Sequence, residues 1–276
     1  MGNDVLFALG LTFLAGLGTA IGGLIGLFSK PSNKKFLTAC LAFSAGVMLY
    51  ISFAEVLLHA FEDLEYVFED GVGIAFATIA FFVGIGLMMI IDKFMHPEDD
   101  VADILDSIES PEARKKAEKK KLHRTGVSSA FAIAIHNLPE GVLVFLGAMA
   151  DPALGIGIAI AIAMHNIPEG IAVSAPIYHA TGSRKRGFLV SLASGLTEPL
   201  GGLLAWLVLS NLFNEDAMSA VFGITFALVA GIMVYVSVHH LLPTAQRYGK
   251  HHTVMKWLFA GMAFIAATIV LIELFI

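Results

Sequence analysis

The sequence predicts an all-α fold, a polytopic integral membrane bundle of eight transmembrane helices. Of its 276 residues, 57% are hydrophobic and only 14% are charged, and the mean hydropathy is +0.79. A soluble domain carries about 25% charged residues. The apolar residues run on for the ~20 positions that a helix needs to cross a ~30 Å hydrocarbon core, which is too long for barrel strands.

Eight such runs divide the chain, and we expect residues 1–276 to form a single transmembrane domain. The first run is not a cleaved signal peptide, because no basic residue precedes it and it is longer than a signal core. The runs cover roughly 5–29, 36–61, 72–94, 125–149, 153–178, 187–212, 217–242 and 253–275.

The basic residues test this count independently. All 17 Lys and Arg fall between runs one and two, three and four, five and six, or seven and eight, or at the ends of those runs. With eight helices, all of them therefore lie on one side of the membrane. The positive-inside rule makes that side cytoplasmic and places both the N and the C terminus outside. The charged residues of the opposite face are all carboxylates, so this face would raise the local concentration of cations.

The long connection between helices three and four, residues 96–124, has an acidic first half and a basic second half. A segment of this composition cannot bury an apolar face, so we expect a mobile cytoplasmic loop or a solvated helix. On the first helix, Gly18, Gly22 and Gly26 form a stripe of small residues that is typical of a helix contact.

A six-residue motif occurs twice. His136-Asn137-Leu138-Pro139-Glu140-Gly141 recurs, 29 residues later, as His165-Asn166-Ile167-Pro168-Glu169-Gly170. The two helices are joined by a short turn at Asp151 and Pro152, so we expect antiparallel neighbours. At ~1.5 Å per residue, both motifs lie near mid-membrane.

Ionisable residues at that depth cost ~2.5–3.5 kcal/mol each on insertion scales and are functional by default. The two motifs bring a His and a Glu each, and Glu198 on the next helix lies at a similar depth. The spans contain Lys or Arg only at their ends, at Lys93 and Lys256, so none lies at the depth of these three carboxylates to neutralise them. A divalent cation would do so directly.

The helical arrangement predicts two ions. Around the helix, Glu140 lies at about 40° and Asn137 at about 100° from His136, so the Glu140 carboxylate faces both sides. Glu169 has the same relation to its neighbours. The predicted ligands of the first ion are His136, Glu140, His165 and Glu169, and those of the second are Asn137, Asn166 and Glu198 with the bridging carboxylates. Imidazole with carboxylate suits Zn²⁺, Fe²⁺, Mn²⁺ and Co²⁺.

Three prolines adjoin these carboxylates. Pro139, Pro168 and Pro199 each lack an N–H and clash with the preceding turn, so we expect kinks that line a polar cavity. Five other polar residues lie near helix ends. For each of them two roles are open, part of an entry or exit port for the ion or an interfacial side chain with satisfied hydrogen bonds: Glu55, His59, His179, His239 and His240. Asp92 and Glu273 are expected only to meet water.

At these residues the chain resembles the ZIP family of metal transporters, especially its bacterial ZupT-type branch. The doubled His-Asn-x-Pro-Glu-Gly motif, Thr197-Glu198-Pro199 and the eight spans carry the likeness over nearly the whole chain. The resemblance implies a two-metal transport site at the positions above. It also implies import of zinc, and of iron, manganese, cobalt or cadmium, through the cell membrane into the cytoplasm. A homodimer and an elevator-like motion of one helix group are implied as well.

Two other functions are open to such a sequence. A membrane-embedded metal hydrolase would need the same ligands, but there is no His-Glu-x-x-His, and no nucleophile or general base remains once the ligands are assigned. A proton- or sodium-coupled carrier whose carboxylates never bind a transition metal fits the motif His and Asn residues poorly, since Na⁺ sites favour carbonyl and hydroxyl oxygen. We therefore expect no enzyme, no cofactor beyond the transported ions and no nucleic-acid partner, only the ions, the lipid bilayer and a second copy of the chain.

Overall fold

The computed structural model describes residues 2–28, 34–95, 110–209 and 215–275, and the regular structure of these residues is entirely helical. Eight segments of the described chain are long and apolar enough to cross a membrane, which confirms the predicted fold. The helices are α1 (Gly2–Phe28), α2 (Lys34–Ile51), α3 (Leu57–Val67), α4 (Val72–Met95), α5 (Pro111–Ala150), α6 (Pro152–Thr181), α7 (Arg184–Gly195), α8 (Thr197–Leu209), α9 (Glu215–Val236), α10 (Leu242–Tyr248) and α11 (His251–Phe275).

Two π-helical turns, Ser52–Val56 and Ser237–Leu241, join α2 to α3 and α9 to α10. Each ends in a backbone hydrogen bond that spans five residues, from Leu57 to Ser52 and from Leu242 to Ser237. Because the backbone stays hydrogen-bonded through both turns, the second and seventh spans continue to Val67 and Tyr248, past their predicted ends.

Helix α5 is 40 residues long and begins at Pro111. Residues 111–124 of this segment are therefore helical and continuous with the fourth span. Residues 96–109 lie outside the described residues.

Short polar caps make the tight connections on the face predicted to be external. The Asp151 carboxylate accepts hydrogen bonds from two N–H groups of the first turn of α6, at 2.7 and 3.0 Å. The Glu65 carboxylate accepts one from the Gly71 N–H at 2.7 Å, before α4 begins. Since the first N–H groups of a helix have no partner within it, these two acidic residues have a structural role.

The helices form two groups. The motif-bearing group comprises α1 and α5 to α8, with α1 packed against the other four helices. The second group comprises α2 to α4 and α9 to α11, in which α2 packs on α11 and α4 on α9. The groups meet chiefly where α2 crosses α6 and α9 crosses α5, and they share one apolar core.

Close backbone contacts hold each group together. A Cβ on Gly18 would meet the backbone of Ala163 on α6, and one on Gly22 would meet Ile167, so the predicted small-residue contact on α1 is confirmed. In the second group, Gly46 on α2 meets Leu258 in the same way. Among the glycines for which the surroundings of a Cβ are described, each one whose Cβ would meet another helix does so within its own group. Each group is therefore packed as a unit.

This packing predicts the effect of adding one methyl group to α1. Gly22→Ala would drive its Cβ into the Ile167 carbonyl, so we expect the free energy of unfolding to fall by about 1–3 kcal/mol, as for other overpacked sites. Gly10→Ala is the matched control, since nothing lies within 4 Å of its Cβ and alanine favours a helix by roughly 0.5–1 kcal/mol. Thermal unfolding in detergent would measure both. Equal midpoints would contradict the close α1–α6 contact.

Candidate metal centre

The doubled motif is brought together in the middle of the motif-bearing group. Asn137 and Glu140 lie on α5, and α6 carries His165, Asn166 and Glu169. Glu198 lies in the first turn of α8. These six side chains are fully buried. His136 lies on α5 as expected, but its side chain is outside the described part of the chain.

Two contacts join the helices at this level. The Nε2 atom of His165 lies 3.2 Å from Oε1 of Glu140, across the α5–α6 contact. The Nδ2 atom of Asn166 donates a hydrogen bond to Oε1 of Glu198. The first contact pairs two residues predicted to bind the first ion, and the second pairs two residues predicted to bind the second ion.

The amide groups are oriented by the backbone around them. The Nδ2 atom of Asn166 donates to the Ala15 carbonyl at 3.1 Å, and that of Asn137 donates to the Ser194 carbonyl at 3.3 Å. Because each amide nitrogen is engaged in this way, each amide oxygen is left as an acceptor. Within the described residues, Oδ1 of Asn137 and of Asn166 has no hydrogen-bond partner.

The buried charge is entirely negative. Glu140, Glu169 and Glu198 are close enough that both of the first two act electrostatically on Glu198. No Lys or Arg is buried in the described part of the chain. The second carboxylate oxygens of Glu140 and Glu198 have no hydrogen-bond partner among the described residues. An unsatisfied buried acceptor costs about 1–3 kcal/mol, and more when it is charged, so this arrangement is suited to a bound cation.

A break in the sixth span places Glu198 at the start of a helix. Helix α7 ends at Gly195 and α8 begins at Thr197, because Pro199 has no N–H to give to the Gly195 carbonyl. The Thr197 hydroxyl donates instead to the Ser194 carbonyl at 2.6 Å. The prolines of the two motifs have a different effect, since α5 and α6 are helical on both sides of Pro139 and Pro168.

The glycine that closes each motif allows a neighbouring helix to approach. A Cβ on Gly141 would meet the carbonyl of Glu198, and one on Gly170 would meet the carbonyl of Thr19. Neither motif indicates in the sequence that α1 forms a wall of this site. The stripe of small residues on α1 is the feature of the sequence that could have indicated this wall. A helix surface without large side chains is needed to bring Ala15 and Thr19 so close to the motif.

A second cluster lies near the ends of α4 and α9. Asp92 is only 9% exposed, and His239 and His240 come from the π turn after α9. The Asp92 carboxylate lies 3.1 Å from Nε2 of His240, 3.5 Å from Nδ1 of His239 and 3.1 Å from the Tyr235 hydroxyl, which donates to it. The expectation that Asp92 only meets water was wrong, because these partners come from a helix distant in sequence.

The side chains of this second cluster lie close enough together for three of them to bind one metal ion. Within the described residues, Asp92, His239 and His240 are the group of His, Asp and Glu side chains whose three ligand atoms lie within 4.8 Å of one another. The side chain of His179 and that of Glu273 lie outside the described part. The chain thus carries a mid-membrane cluster of oxygen and imidazole groups and a smaller cluster nearer one end of the bundle.

The fold and these clusters define a multi-pass membrane protein with polar groups for a cation buried inside its helix bundle. Residues 95–269 match the model of the family described as ZIP Zinc transporter. The chain is 49% identical over 273 residues to the zinc transporter ZupT of Chlorobaculum parvum, covering 98% of this chain and 99% of that one. It is 46% identical over 271 residues to that of Chlorobium chlorochromatii, with 98% and 99% covered.

A third relative, the zinc transporter ZupT of Clostridium perfringens, is 45% identical over 280 residues, with 98% of this chain and 97% of the relative covered. The chain therefore belongs to the ZIP zinc transporter family, which confirms the resemblance in the motifs. Membership of a transporter family decides against the membrane hydrolase.

Buried carboxylates with no buried Lys or Arg among the described residues predict that metal will stabilise the folded protein. At a zinc concentration 100 times the dissociation constant, a single site adds about 2.7 kcal/mol to the free energy of unfolding. We expect Glu140→Gln to raise the thermal midpoint of the metal-free protein, because one buried charge is removed, and to lose most of the zinc-induced shift. Thermal unfolding with and without zinc measures both effects.

Glu112→Gln is the control, since Glu112 is exposed on the same helix, α5. It should keep the metal-free midpoint and the full zinc shift. A zinc shift in Glu140→Gln equal to that of the unmodified protein would contradict the role of this carboxylate.

Proposed function

We propose that this chain carries divalent transition-metal ions, zinc first among them, across the cell membrane into the cytoplasm. The observation that carries the proposal is the buried trio Glu140, Glu169 and Glu198, which faces no buried Lys or Arg in the described residues. Such a cluster has to be neutralised by cations or protons. The relatives named as zinc transporters support zinc as the ion.

The ligands of a first ion are His136, Glu140, His165 and Glu169. The 3.2 Å separation of His165 Nε2 and Glu140 Oε1 supports this set. Two ligand atoms on a tetrahedral zinc, with bonds of about 2.0–2.1 Å, lie about 3.3 Å apart. An ion between these atoms therefore requires little movement of either side chain.

The ligands of a second ion are Asn137, Asn166 and Glu198, with the carboxylates of Glu140 and Glu169 as bridges. The unpartnered amide oxygens and the unpartnered Oε2 of Glu198 support this set. It is richer in oxygen than the first, and oxygen ligands accept harder ions. A mixed imidazole and oxygen site also accepts Fe²⁺, Mn²⁺, Co²⁺ and Cd²⁺ beside Zn²⁺, so we propose these as further substrates.

The route to the cytoplasm continues at Asp92, His239 and His240. These residues lie on the side predicted to be cytoplasmic and belong to the second group. We place them as the ligands that receive the ion when it leaves the mid-membrane site. Since the mid-membrane ligands all belong to the motif-bearing group, release requires the two groups to change their relative position.

The packing supports a rigid displacement of one group. Close glycine contacts occur within the groups and not between them in the described residues. At the contact between groups, the Ser44 hydroxyl of α2 donates a hydrogen bond to the His165 carbonyl of α6 at 3.3 Å. A displacement of one group would break this hydrogen bond. The import direction and a homodimeric assembly rest on the family resemblance.

Influx into liposomes loaded with a zinc-sensitive dye tests the proposal. We expect the unmodified protein to admit zinc and Glu169→Ala to admit almost none, because both ions lose a shared ligand. Glu69→Ala removes a carboxylate from the exposed turn before α4 and should transport normally. Gel filtration of each variant confirms that the loss is not one of folding.

Normal influx through Glu169→Ala would contradict the two-ion site. If the unmodified protein binds zinc tightly but admits none, transport itself would be contradicted. The same liposomes should also take up Fe²⁺, Mn²⁺, Co²⁺ and Cd²⁺ with the same dependence on Glu169, and a zinc-only response would narrow the substrate.

A further inference from the structure

A cavity of about 310 Å³ opens between the two helix groups on the face predicted to be external. The second group contributes Ile51, Glu55, His59 and Ile269, and the motif-bearing group contributes the first part of α6, from Asp151 to Ala161. Most of its wall is apolar. Glu55 and His59 are therefore the ionisable side chains that the second helix group contributes to this cavity.

The π turn Ser52–Val56 sets the position of these two side chains. The Ser52 hydroxyl donates to the Met48 carbonyl at 2.7 Å, at the point where the α-helical pattern changes. Glu55 lies within the turn, and His59 lies in the first turn of α3. Single π turns inside helices occur frequently at functional sites. The corresponding π turn after α9 carries His239 and His240.

The distances within the pair suit a metal ion better than a hydrogen bond. Nε2 of His59 lies 3.5 Å from Oε2 of Glu55, and the two side chains are 34% and 24% exposed. Hydrogen bonds to nitrogen are normally 2.7–3.2 Å long, whereas two ligands of a tetrahedral zinc lie about 3.3 Å apart. The other ring nitrogen, Nδ1, lies 3.5 Å from Oε2 of the exposed Glu62, so a second carboxylate adds negative charge beside the pair.

The cavity also lies on the way to the mid-membrane site. Its lining on α6 ends at Ala161, one helical turn, or about 6 Å, before His165. On α2 its lining reaches Ile51, about 10 Å along the helix from Ser44, whose hydroxyl contacts the His165 carbonyl. An ion held at Glu55 and His59 would thus face α6, the helix that carries three of the seven proposed mid-membrane ligands.

We infer that Glu55 and His59 form an outer loading site for a divalent transition-metal ion, which holds the ion before it passes to Glu140 and His165. The inference rests on the proposed transport function. The pair belongs to the group that does not carry the mid-membrane ligands, so it sets how readily the transporter is loaded at low metal concentration. The capacity of the mid-membrane site at saturating metal is independent of it.

Zinc titrations of influx into dye-loaded liposomes test the inference. Glu55→Gln and His59→Asn should each raise KM about tenfold, as loss of one metal-binding partner does, and leave the maximal rate within about a factor of two. The double variant should be no worse than the more impaired single variant, because both remove the same site. Glu69→Gln, the same change at an exposed position on the same face, should leave KM unchanged.

A gain-of-function variant separates this site from general damage. In a Cys40→Ala background, which removes the only cysteine, His59→Cys should lower the KM for Cd²⁺ relative to Zn²⁺, because thiolates prefer soft ions. Its labelling by a membrane-impermeant maleimide should be slowed by Cd²⁺ at concentrations near that KM.

The outcomes distinguish the two proposals. Unchanged KM in Glu55→Gln and His59→Asn, with normal zinc influx, would overturn the loading site and leave the transport function intact. A loss of maximal rate with KM unchanged would also overturn it. If the unmodified protein admits no zinc, the transport function is contradicted. The metal site is then tested separately by whether Cd²⁺ slows the maleimide labelling of the His59→Cys variant, and unchanged labelling would contradict it.

Discussion

The structure is organised around the burial of three carboxylates with no Lys or Arg buried beside them in the described part of the chain. Even after relaxation, an ionised group in a protein interior costs several kcal/mol, and Glu140, Glu169 and Glu198 are all fully buried. The amide of Asn166 and the imidazole of His165 satisfy only one oxygen each of Glu198 and Glu140. The remaining oxygens need positive charge that the described chain does not supply. A cation bound at the proposed site would thus stabilise the fold as well as being the transported substrate.

Holding these carboxylates close together requires helices that approach closely, and the glycines provide this. Gly141 lets the start of α8 reach α5, and Gly170 lets α1 reach α6, so the backbone around Glu198 and Thr19 is fixed against the motifs. Close-packed interiors resist deformation. The motif-bearing group therefore keeps its ligands in register while its position relative to the second group is set by larger apolar side chains and by the Ser44 hydrogen bond.

The sequence predicted those features that depend on length, charge and local connection. Eight spans followed from the apolar runs, and the meeting of Glu140 with His165 followed from the short turn at Asp151. The grouping of helices did not follow, because in a membrane the residues that face lipid are as apolar as those that face another helix. The partners of Asp92 were missed because they lie on α9. The π turn at Ser52 was missed because a serine in a helix has no unique backbone consequence.

The two π turns lie in the second group, so the two groups contribute different parts of the proposed ion route. The second group carries Glu55 and His59 toward one face and His239 and His240 toward the other, each beside a π turn, while the motif-bearing group carries the ligands between them. On the proposed route, an ion would therefore exchange ligands between the two groups twice. Such an exchange is fast only if neither end binds more tightly than the middle, because a site that holds the ion too well delays the next step. Glu55 with His59 at one end, and Asp92 with His239 and His240 at the other, bring fewer carboxylates than the buried centre, which favours weaker binding at the ends.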